Sequence, residues 1–279
     1  MEFVDLHVHS TASDGSLDPI EIVEEALELG LYAIAITDHD TVAGVPYAIE
    51  AAKGTPLNII PGVEISTTYN GREIHVLGYN IDIENKLLNE TLDGVAQLHL
   101  ERNDKMCQLM REHGVDISLE KLYENSHSRL LTRGNMGHYL IEHGYAADMA
   151  EAFEKYIGIN SDCYIPKFKL SLDDVYKVIT YAGGICSLAH PVQYHLDDEG
   201  YKRLFLDLKS LGFGCVEAIH SDNEPGDQKR FTDLAESLGL SITGGSDFHG
   251  LSKPDICIGT GKGNLMIPKS ILKNIGIMV

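Results

Sequence analysis

Residues 33–40 read AIAITDHD, an apolar run followed at once by a threonine, two aspartates and a histidine. The apolar run predicts a buried strand, and the polar residues directly after it mark the end of that strand. The same arrangement recurs in LNIIPGVE at 57–64, in GGICSLAH at 183–190 and in LSITGGSDFH at 240–249. Several buried strands that end in acids and histidines favour an α/β fold whose reactive groups gather at one edge of the sheet.

Strands and helices alternate through most of the chain. Strands are predicted at 2–9, 32–37, 57–65, 73–79, 184–189, 214–220 and 241–246. Amphipathic helices are predicted at 18–29, 41–53, 171–182, 199–211 and 226–238, the second of them capped by Asp40 or Thr41. Asn70-Gly71 between the third and fourth strands is typical of a hairpin turn. This order predicts the α/β class and a closed or nearly closed β/α barrel of seven strands.

One long segment departs from the alternation. Residues 87–114 and 135–158 have helical periodicity and little strand character. We therefore expect two parts, a barrel formed by residues 1–81 and 166–279, and a helical insert over 82–165 that caps the substrate site.

Composition excludes several classes of protein. The 42 acidic and 22 basic residues give a net charge of −20, which disfavours duplex DNA and anionic membranes as partners. No apolar run approaches the roughly 18 to 20 residues that cross a bilayer. The amino terminus lacks the pattern of a secretory signal, and five scattered cysteines predict reduced thiols in the cytoplasm. No nucleophile elbow, cysteine phosphatase loop or phosphate-binding GxxxxGK motif is present.

Histidines and acids at the strand ends form the candidate site. His7 and His9 are two apart on a strand and point to the same side, although such a pair also fits two ordinary core histidines. His75 alone fits a histidine bonded to a backbone carbonyl, and Asp14 alone fits a turn. Separate explanations for the whole set are improbable, so we expect one metal site built from His7, His9, Asp14, His39, Glu64, His75, His190, Asp247 and His249.

Nine ligands, at three or four for each ion, predict two or three divalent metal ions bridged by a carboxylate. A site rich in imidazole suits manganese, which is expected first, and also iron, zinc or cobalt. Magnesium is less favoured because it prefers oxygen ligands and retained water.

The motifs HVHS, SDG, TDHD, GVEIS, AHP and GSDFHG occur here in that order. Together they resemble the PHP (polymerase and histidinol phosphatase) superfamily of metal-dependent phosphoesterases over nearly the whole chain. The helical insert resembles the branch that contains nucleoside 3',5'-bisphosphate phosphatases and a 5'→3' exoribonuclease. The resemblance implies a distorted, TIM-like seven-stranded β/α barrel with a trinuclear metal site.

The resemblance also implies an assignment of the ligands. One ion would take His7, His9, Glu64 and Asp247, a second Asp14, His39 and His249, and a third Glu64, His75 and His190. Asp14 stands where several family members have histidine.

Substrate contacts are implied mainly in the insert. Thr132-Arg133-Gly134-Asn135 resembles a family segment that often reads Gly-Arg-Pro-His, so Arg133 is expected to hold a phosphate. Asn135 stands at the usual histidine, and His138 where a second arginine is common. The expected substrate contacts are Arg133, Asn135, His138, Lys167, Asp14 and His220, with Lys169 as a further candidate. His220 or Asp38 is expected to protonate the leaving group.

The expected activity is hydrolysis of the 3'-phosphate of a nucleoside 3',5'-bisphosphate such as 3'-phosphoadenosine 5'-phosphate. The alternative is a 5'-3' exoribonuclease that acts on short 5'-phosphorylated RNA. A histidinol-phosphate phosphatase is disfavoured by Arg133 and Asp14, and a non-catalytic metal-binding module by the complete ligand set. The sequence leaves the oligomeric state open.

Overall fold

The computed structural model describes residues 2–124 and 131–278. The chain divides into two compact units, one formed by Met1–Leu92 with Leu170–Val279 and the other by Asp93–Lys169. Within the described residues, the strands belong to the first unit and the second unit is helical. The predicted limits of the insert, 82–165, and its role as a cap stay predictions.

The first unit is built on one sheet. In chain order its strands are β1 (Val4–Val8), β2 (Ala33–Ile36), β3 (Asn58–Tyr69), β4 (Arg72–Tyr79), β5 (Leu170–Ser171), β6 (Ile185–Leu188), β7 (Cys215–His220) and β8 (Ser241–Gly245). Seven of them follow one another in the order β1-β2-β3-β4-β6-β7-β8, and the short β5, which the sequence did not predict, pairs with β3.

The two ends of the sheet meet. Val8 forms a parallel bridge with Phe248, and the amide of His9 donates to the carbonyl of Phe248 at 2.9 Å. The amide of Asp247 donates to the carbonyl of His7, also at 2.9 Å. The predicted barrel of seven strands, closed or nearly closed, is therefore confirmed.

β4 runs against its two neighbours, whereas the other neighbouring pairs along the seven-strand path are parallel. β3 continues past the predicted end at residue 65 because its pairing with β4 extends to the turn. Asn70 and Gly71 make that turn with φ values of 49° and 78°, the left-handed conformation that a tight hairpin needs. The start of β4 therefore lies beside the ends of the parallel strands.

Helices of the first unit pack against the sheet. They are α1 (Pro19–Glu28), α2 (Val45–Ala51), α7 (Leu172–Tyr181), α8 (Asp198–Leu211), α9 (Asp227–Ser237) and α10 (Ser270–Asn274). All but the last, which the sequence did not predict, lie close to their predicted positions. Asp18 caps α1 by accepting from the amides of Ile20 and Glu21, and Glu21 accepts from the amide of Asp18. This reciprocal capping box explains the sharp start of the helix after β1.

α2 begins four residues later than predicted, and its capping by Asp40 or Thr41 is wrong. Its N-cap is Gly44, which provides no side-chain hydrogen bond. Asp40 instead adopts a left-handed conformation and accepts from the amide of Ser66 at 3.1 Å. Thr41 accepts from the amide of Ala43, so this segment forms a turn before the helix starts.

The second unit has its own core. Its helices are α3 (Lys86–Glu112), which begins in the first unit, α4 (Leu119–Glu124), α5 (Arg133–Glu142) and α6 (Met149–Ala152), followed by a π-helical turn over Phe153–Ile157. Met106, Met110, Met136 and Leu140 are buried together among these helices. None of the helices in the described residues is both long and apolar enough to cross a membrane.

Candidate metal centre

The structure brings the nine predicted ligands together at one end of the barrel. Glu64, on β3, lies at the centre of the group. Its Oε2 atom is 3.2 Å from His7 Nε2, 3.2 Å from His9 Nε2 and 3.1 Å from His39 Nδ1. His7 lies on β1, His9 directly follows it, and His39 follows β2. These strands and β3 pair in parallel, which brings the three rings to the same edge of the sheet as Glu64.

The other oxygen of Glu64 faces two further histidines. Its Oε1 atom is 3.0 Å from His75 Nδ1 and 3.0 Å from His190 Nε2. His190 follows the end of β6, but His75 lies near the start of β4, where it pairs with Ser66. The antiparallel direction of β4 therefore explains how a histidine early in a strand joins residues at the ends of other strands.

Asp247 follows β8 and completes this side of the group. Its Oδ1 atom is 3.6 Å from His7 Nε2, 3.4 Å from His9 Nε2 and 3.4 Å from His249 Nδ1. Its Oδ2 atom is 2.6 Å from the ammonium of Lys253. One oxygen thus faces these three histidines, whereas the other pairs with the ammonium of Lys253 and also faces His220 Nε2 at 3.6 Å.

The carboxylate of Asp14 lies close to a second set of histidines. Its Oδ1 atom is 3.3 Å from His249 Nε2 and 3.7 Å from His9 Nδ1, and its Oδ2 atom is 3.9 Å from His39 Nε2. His249 Nδ1 donates to the carbonyl of Asp247 at 2.8 Å, so its Nε2 atom keeps a lone pair toward Asp14. These three histidines follow three different strands, β1, β2 and β8.

Ligand atoms within 4.8 Å of one another form four groups in the described residues. They are His9, Asp14, His39 and His249; His7, His9 and Asp247; His39, Glu64 and His75; and His7, Glu217 and His220. The first three groups resemble the three ligand sets that the family resemblance implies. The third differs in one member, because it contains His39 with Glu64 and His75, whereas the implied set contains His190.

Many atoms of these groups are buried without a hydrogen-bond partner, which is costly unless a cation binds them. The contacts around Glu64 Oε2 are short, but they lack the geometry of hydrogen bonds. The unpartnered atoms here are His7 Nε2, His9 Nδ1 and Nε2, His39 Nδ1, Glu64 Oε2, His190 Nδ1 and His220 Nε2. Nitrogen and carboxylate donors crowded in this way fit divalent metal ions.

Backbone strain is concentrated at the same place. His190 and Asp247 have φ values of 24° and 60°, a region that residues other than glycine rarely adopt. Such conformations cost free energy and persist where surrounding contacts hold them, which is common at functional sites.

The carboxylates change the protonation of the rings. Burial alone lowers the pKa of His9, but Asp247 and Glu64 outweigh it and raise the pKa to about 9. The pKa of His75 also rises to about 9, because Glu64 and Glu73 outweigh its burial. Burial dominates at His39 and lowers its pKa to about 3. A cation therefore has to displace protons from His9 and His75 to bind them.

His220, at the end of β7, lies beside the ligands and is fully buried. The amide of Asp222 donates to its Nδ1 atom at 3.1 Å. The neutral ring therefore carries its proton on Nε2, which faces Asp247 Oδ2 at 3.6 Å. His220 presents an N–H group to the site rather than a lone pair.

Asp38 has a different environment. It accepts hydrogen bonds from the amide and hydroxyl of Ser10, both at 2.7 Å, and from the hydroxyl of Ser13 at 2.6 Å. These bonds hold the turn that carries Asp14. The contacts explain the buried aspartate without a catalytic role, and its role as proton donor stays a prediction.

The predicted substrate residues of the helical unit have contacts inside that unit. The guanidinium of Arg133 lies 5.4 Å from the ring centres of both Phe153 and Tyr164 and donates to the carbonyl of Ile157 at 3.3 Å. Asn135 takes part in the capping box of α5, where its Oδ1 accepts from the amide of Thr132 at 2.8 Å.

The other predicted substrate residues of this part of the chain differ in accessibility. His138 is exposed on α5, and Lys167 and Lys169 are half-buried. The substrate roles of these residues, and those of Arg133 and Asn135, stay predictions.

Sequence reasoning missed two residues of the site. Glu217 is fully buried on β7 with its carboxylate 3.0 Å from His7 Nδ1. Its signal was present, because CVEAIH places a glutamate inside an apolar strand just as GVEIS does for Glu64. Lys253 lies beyond the turn Gly250–Ser252, and no sequence pattern indicates that it folds back onto Asp247.

Known proteins share this architecture. The chain is 35% identical over 247 residues to the 5'-3' exoribonuclease Rnm of Escherichia coli, covering 88% of this chain and 84% of that protein. It is 29% identical over 250 residues to the 3',5'-nucleoside bisphosphate phosphatase of Chromobacterium violaceum, covering 89% and 88%. A solved structure from Bifidobacterium adolescentis, described as a candidate metal-dependent phosphoesterase, matches with a TM-score of 0.80 and 26% identity over 98% of this chain and 95% of that one.

The relatives are thus named for both of the activities expected from the sequence, and neither is clearly preferred. The model of the PHP domain matches residues 5–165, more than half of the chain. The resemblance seen in the motifs is therefore confirmed, and this chain belongs to the PHP family of phosphoesterases.

Proposed function

We propose that the protein hydrolyses the 3'-phosphate of nucleoside 3',5'-bisphosphates, such as 3'-phosphoadenosine 5'-phosphate, and releases a nucleoside 5'-monophosphate and phosphate. The observation that carries the proposal is the convergence of five histidines on the two oxygens of one buried glutamate, Glu64. A set of unpartnered imidazole nitrogens around a carboxylate is suited to several divalent cations in one site.

The nine strand-end ligands would hold two or three of these cations, with Glu64 shared between them. Manganese suits the mixture of nitrogen and oxygen donors, as do iron, zinc and cobalt, whereas magnesium prefers oxygen. When bound, the cations supply Lewis-acid stabilisation of phosphoryl charge and make water more acidic.

Two residues of the barrel act on the substrate in this proposal. His220 presents Nε2–H and donates a hydrogen bond to the leaving 3'-oxygen. It serves better as a neutral donor than as a proton source, because loss of its Nε2 proton would leave an imidazolate. Lys253, 2.6 Å from Asp247, supplies a positive charge next to the phosphoryl oxygens.

The 5'-phosphate is assigned to the helical unit in this proposal. Arg133 carries a guanidinium that suits bidentate contact with phosphate, and its contacts with the rings of Phe153 and Tyr164 restrict its conformations. Asn135, His138 and Lys167 would add polar contacts. The helical segment would then act as the substrate cap predicted for residues 82–165.

A second candidate is 5'-3' exoribonuclease activity on short 5'-phosphorylated RNA. It is favoured by the higher identity to the relative named as an exoribonuclease, 35% against 29% for the one named as a bisphosphate phosphatase. The net charge of −20 favours the smaller substrate, because it repels long polyanions. The same charge argues against duplex DNA and anionic membranes as partners. We also propose that the reaction takes place in the cytoplasm.

Incubation of the manganese-loaded protein with 3'-phosphoadenosine 5'-phosphate and with a 5'-phosphorylated RNA pentamer tests the two candidates. Phosphate release from the first substrate alone supports the proposal, and mononucleotide release from the pentamer with equal efficiency supports the second. Histidinol phosphate serves as a third substrate. The Glu64→Gln variant is the control for a contaminating phosphatase, and a wild-type protein that binds manganese but turns over none of the three contradicts the proposal.

A further inference from the structure

Glu217 lies behind the metal ligands in the interior of the barrel and is fully buried. Its Oε1 and Oε2 atoms are 3.0 and 3.2 Å from His7 Nδ1. Its Oε2 atom also accepts from the backbone amide of His190 at 2.7 Å. One carboxylate therefore contacts the ring of one predicted ligand and the backbone of another.

The hydrogen bond to His7 decides which nitrogen of that ring is free. A carboxylate accepts only, so His7 Nδ1 has to carry a proton, and the lone pair of the neutral ring is on Nε2. Nε2 is the atom that faces Glu64 Oε2 at 3.2 Å and Asp247 Oδ1 at 3.6 Å, and it has no hydrogen-bond partner. The lone pair thus points into the ligand group.

The contact with His190 acts on the opposite side of Glu64. His190 has a φ of 24°, which is a strained conformation. The hydrogen bond from its backbone amide to the carboxylate of Glu217 helps to hold it. His190 Nε2 approaches Glu64 Oε1, whereas His7 Nε2 approaches Glu64 Oε2. Glu217 is therefore placed to orient one ligand at each oxygen of the central glutamate.

A local irregularity of β7 produces this placement. The pairing of β7 with β8 shifts between Glu217 and Ile219, which is the mark of a bulge. Glu217 and His220 are three residues apart, yet both are buried next to His7 because of this shift. The neighbouring His220 has its proton on Nε2, the opposite tautomer, which argues against a further ion held by His7, Glu217 and His220.

We propose that Glu217 is a positioning residue that holds His7 in its Nδ1–H tautomer, with Nε2 available for a divalent cation, and fixes the backbone of His190. The inference rests on the proposed metal centre, but it does not depend on which phosphate ester is the substrate. Partners of this kind behind a ligand histidine typically change metal affinity by about 10- to 100-fold when they are removed.

Glu217→Gln is the sharpest test because it nearly keeps the shape of the side chain and changes its hydrogen bonding. If the amide oxygen accepts from His190, the amide NH₂ group faces His7 Nδ1 and donates to it. The ring then carries its proton on Nε2 and loses the lone pair that faces the site. We expect about 10- to 100-fold weaker manganese binding, an unchanged number of ions at saturation, and a His7 tautomer shift in ¹⁵N-histidine NMR spectra of the metal-free protein. The spectra are recorded at alkaline pH, where the ring is neutral, because burial, which lowers the pKa of His7, is outweighed by Glu217 and Glu64, which raise it.

Thr243→Val is the matched control, since Thr243 pairs with Glu217 across β7 and β8 and its hydroxyl bonds to Ser187 at 2.8 Å. We expect it to lower the melting temperature and leave manganese affinity unchanged. Glu217→Ala removes the volume of the side chain as well as its hydrogen bonds, whereas Glu217→Gln changes the hydrogen bonds alone. The melting temperature of Glu217→Ala should therefore be lower than that of Glu217→Gln.

Wild-type manganese affinity and an Nδ1–H tautomer in Glu217→Gln would overturn the inference. Loss of one ion from the saturated protein, with the remaining ions bound at normal affinity, would show that Glu217 is itself a ligand and would also overturn it. A wild-type protein that binds no manganese would instead contradict the metal centre, so the two failures are distinguishable.

Discussion

Buried polar side chains occur in both compact units, but their partners differ. In the helical unit, His99, Arg102 and Asn103 of α3 donate to the backbone carbonyls of Phe168, Ile165 and Leu131 at 2.7–2.9 Å. In the barrel unit, buried histidine nitrogens face carboxylates and other histidines, and several have no hydrogen-bond partner. The partners of a buried histidine, and not its burial, therefore separate His99 of the helical unit from the histidines proposed as metal ligands.

The largest effect is expected from Glu64→Gln, because Glu64 is the side chain that five histidines share. The variant should lose bound metal and at least about 10³-fold in turnover, since cations supply several kcal/mol of transition-state stabilisation. Elemental analysis and a phosphate-release assay measure the two quantities. His7→Ala and Asp247→Ala should also abolish turnover while the fold persists.

Asn103→Ala in the helical unit is the counterpart of that variant. It should cost about 1–3 kcal/mol of stability by removing a buried hydrogen bond, and it should keep wild-type metal content. Loss of metal from this variant, or full metal content in Glu64→Gln, would break the distinction between the two units.

Metal affinity should fall as the pH falls. His9 and His75 both have a pKa of about 9, so they are protonated below that pH and a cation has to displace their protons. Each displaced proton weakens apparent binding about tenfold for each pH unit below 9. Calorimetric manganese titrations at pH 7 and pH 8, in buffers of different ionisation enthalpy, measure the affinity and the released protons. Equal affinity at both pH values would contradict the assignment of these two rings as ligands.

Lys253→Met should separate substrate binding from metal binding. Loss of the charge should reduce kcat/KM by about 10- to 100-fold, the range that charged hydrogen bonds usually contribute. Manganese affinity should stay equal or increase, because the ammonium no longer pairs with Asp247. Weaker metal binding in this variant would instead make Lys253 a support for Asp247.

Arg133→Ala tests whether the helical unit contributes to the substrate site. We expect KM for the bisphosphate to rise about tenfold and KM for a 3'-monophosphate to stay the same, since only the former has a 5'-phosphate. Arg133→Lys keeps the charge and loses the planar contact with Phe153 and Tyr164. A fall in melting temperature without a change in either KM would leave Arg133 with a structural role alone.

The smallest effect is expected from Asp18→Ala. Asp18 belongs to the same unit as the ligands, but it caps a helix and is not one of them. Loss of the capping box of α1 should reduce the free energy of unfolding by about 1 kcal/mol. Urea denaturation measures this change, and metal content should match the wild type. A large loss of metal would show that α1 controls the ligands through the β1–α1 turn.

The sequence predicted the parts of the site that depend on strand periodicity. The spacing of His7 and His9 places both rings on one side of β1, and the Asn70-Gly71 turn predicts the hairpin that brings His75 to the site. The sequence could not show which partners a side chain meets across the barrel. Asp38 accepts hydrogen bonds from Ser10 and Ser13 of a neighbouring segment, and no pattern in the sequence indicates these contacts.

Irregular backbone directs the two missed residues, Glu217 and Lys253, toward the site. Glu217 does not follow the alternation of a regular strand, because the bulge in β7 turns it toward His7 together with His220, which the sequence did predict. Lys253 reaches Asp247 from a turn whose course is set by contacts with Ser16 and Asp14 rather than by local propensity. Site prediction from sequence is therefore strongest for regular strands and weakest where bulges and turns direct side chains.

Anomalous diffraction from crystals of the wild-type protein grown with manganese tests the central claim most directly. The account predicts two or three manganese peaks among the nine ligands, with Glu64 in contact with more than one ion and His7 bound through Nε2. Absence of peaks at this end of the barrel, or histidine rings turned away from one another, would contradict it.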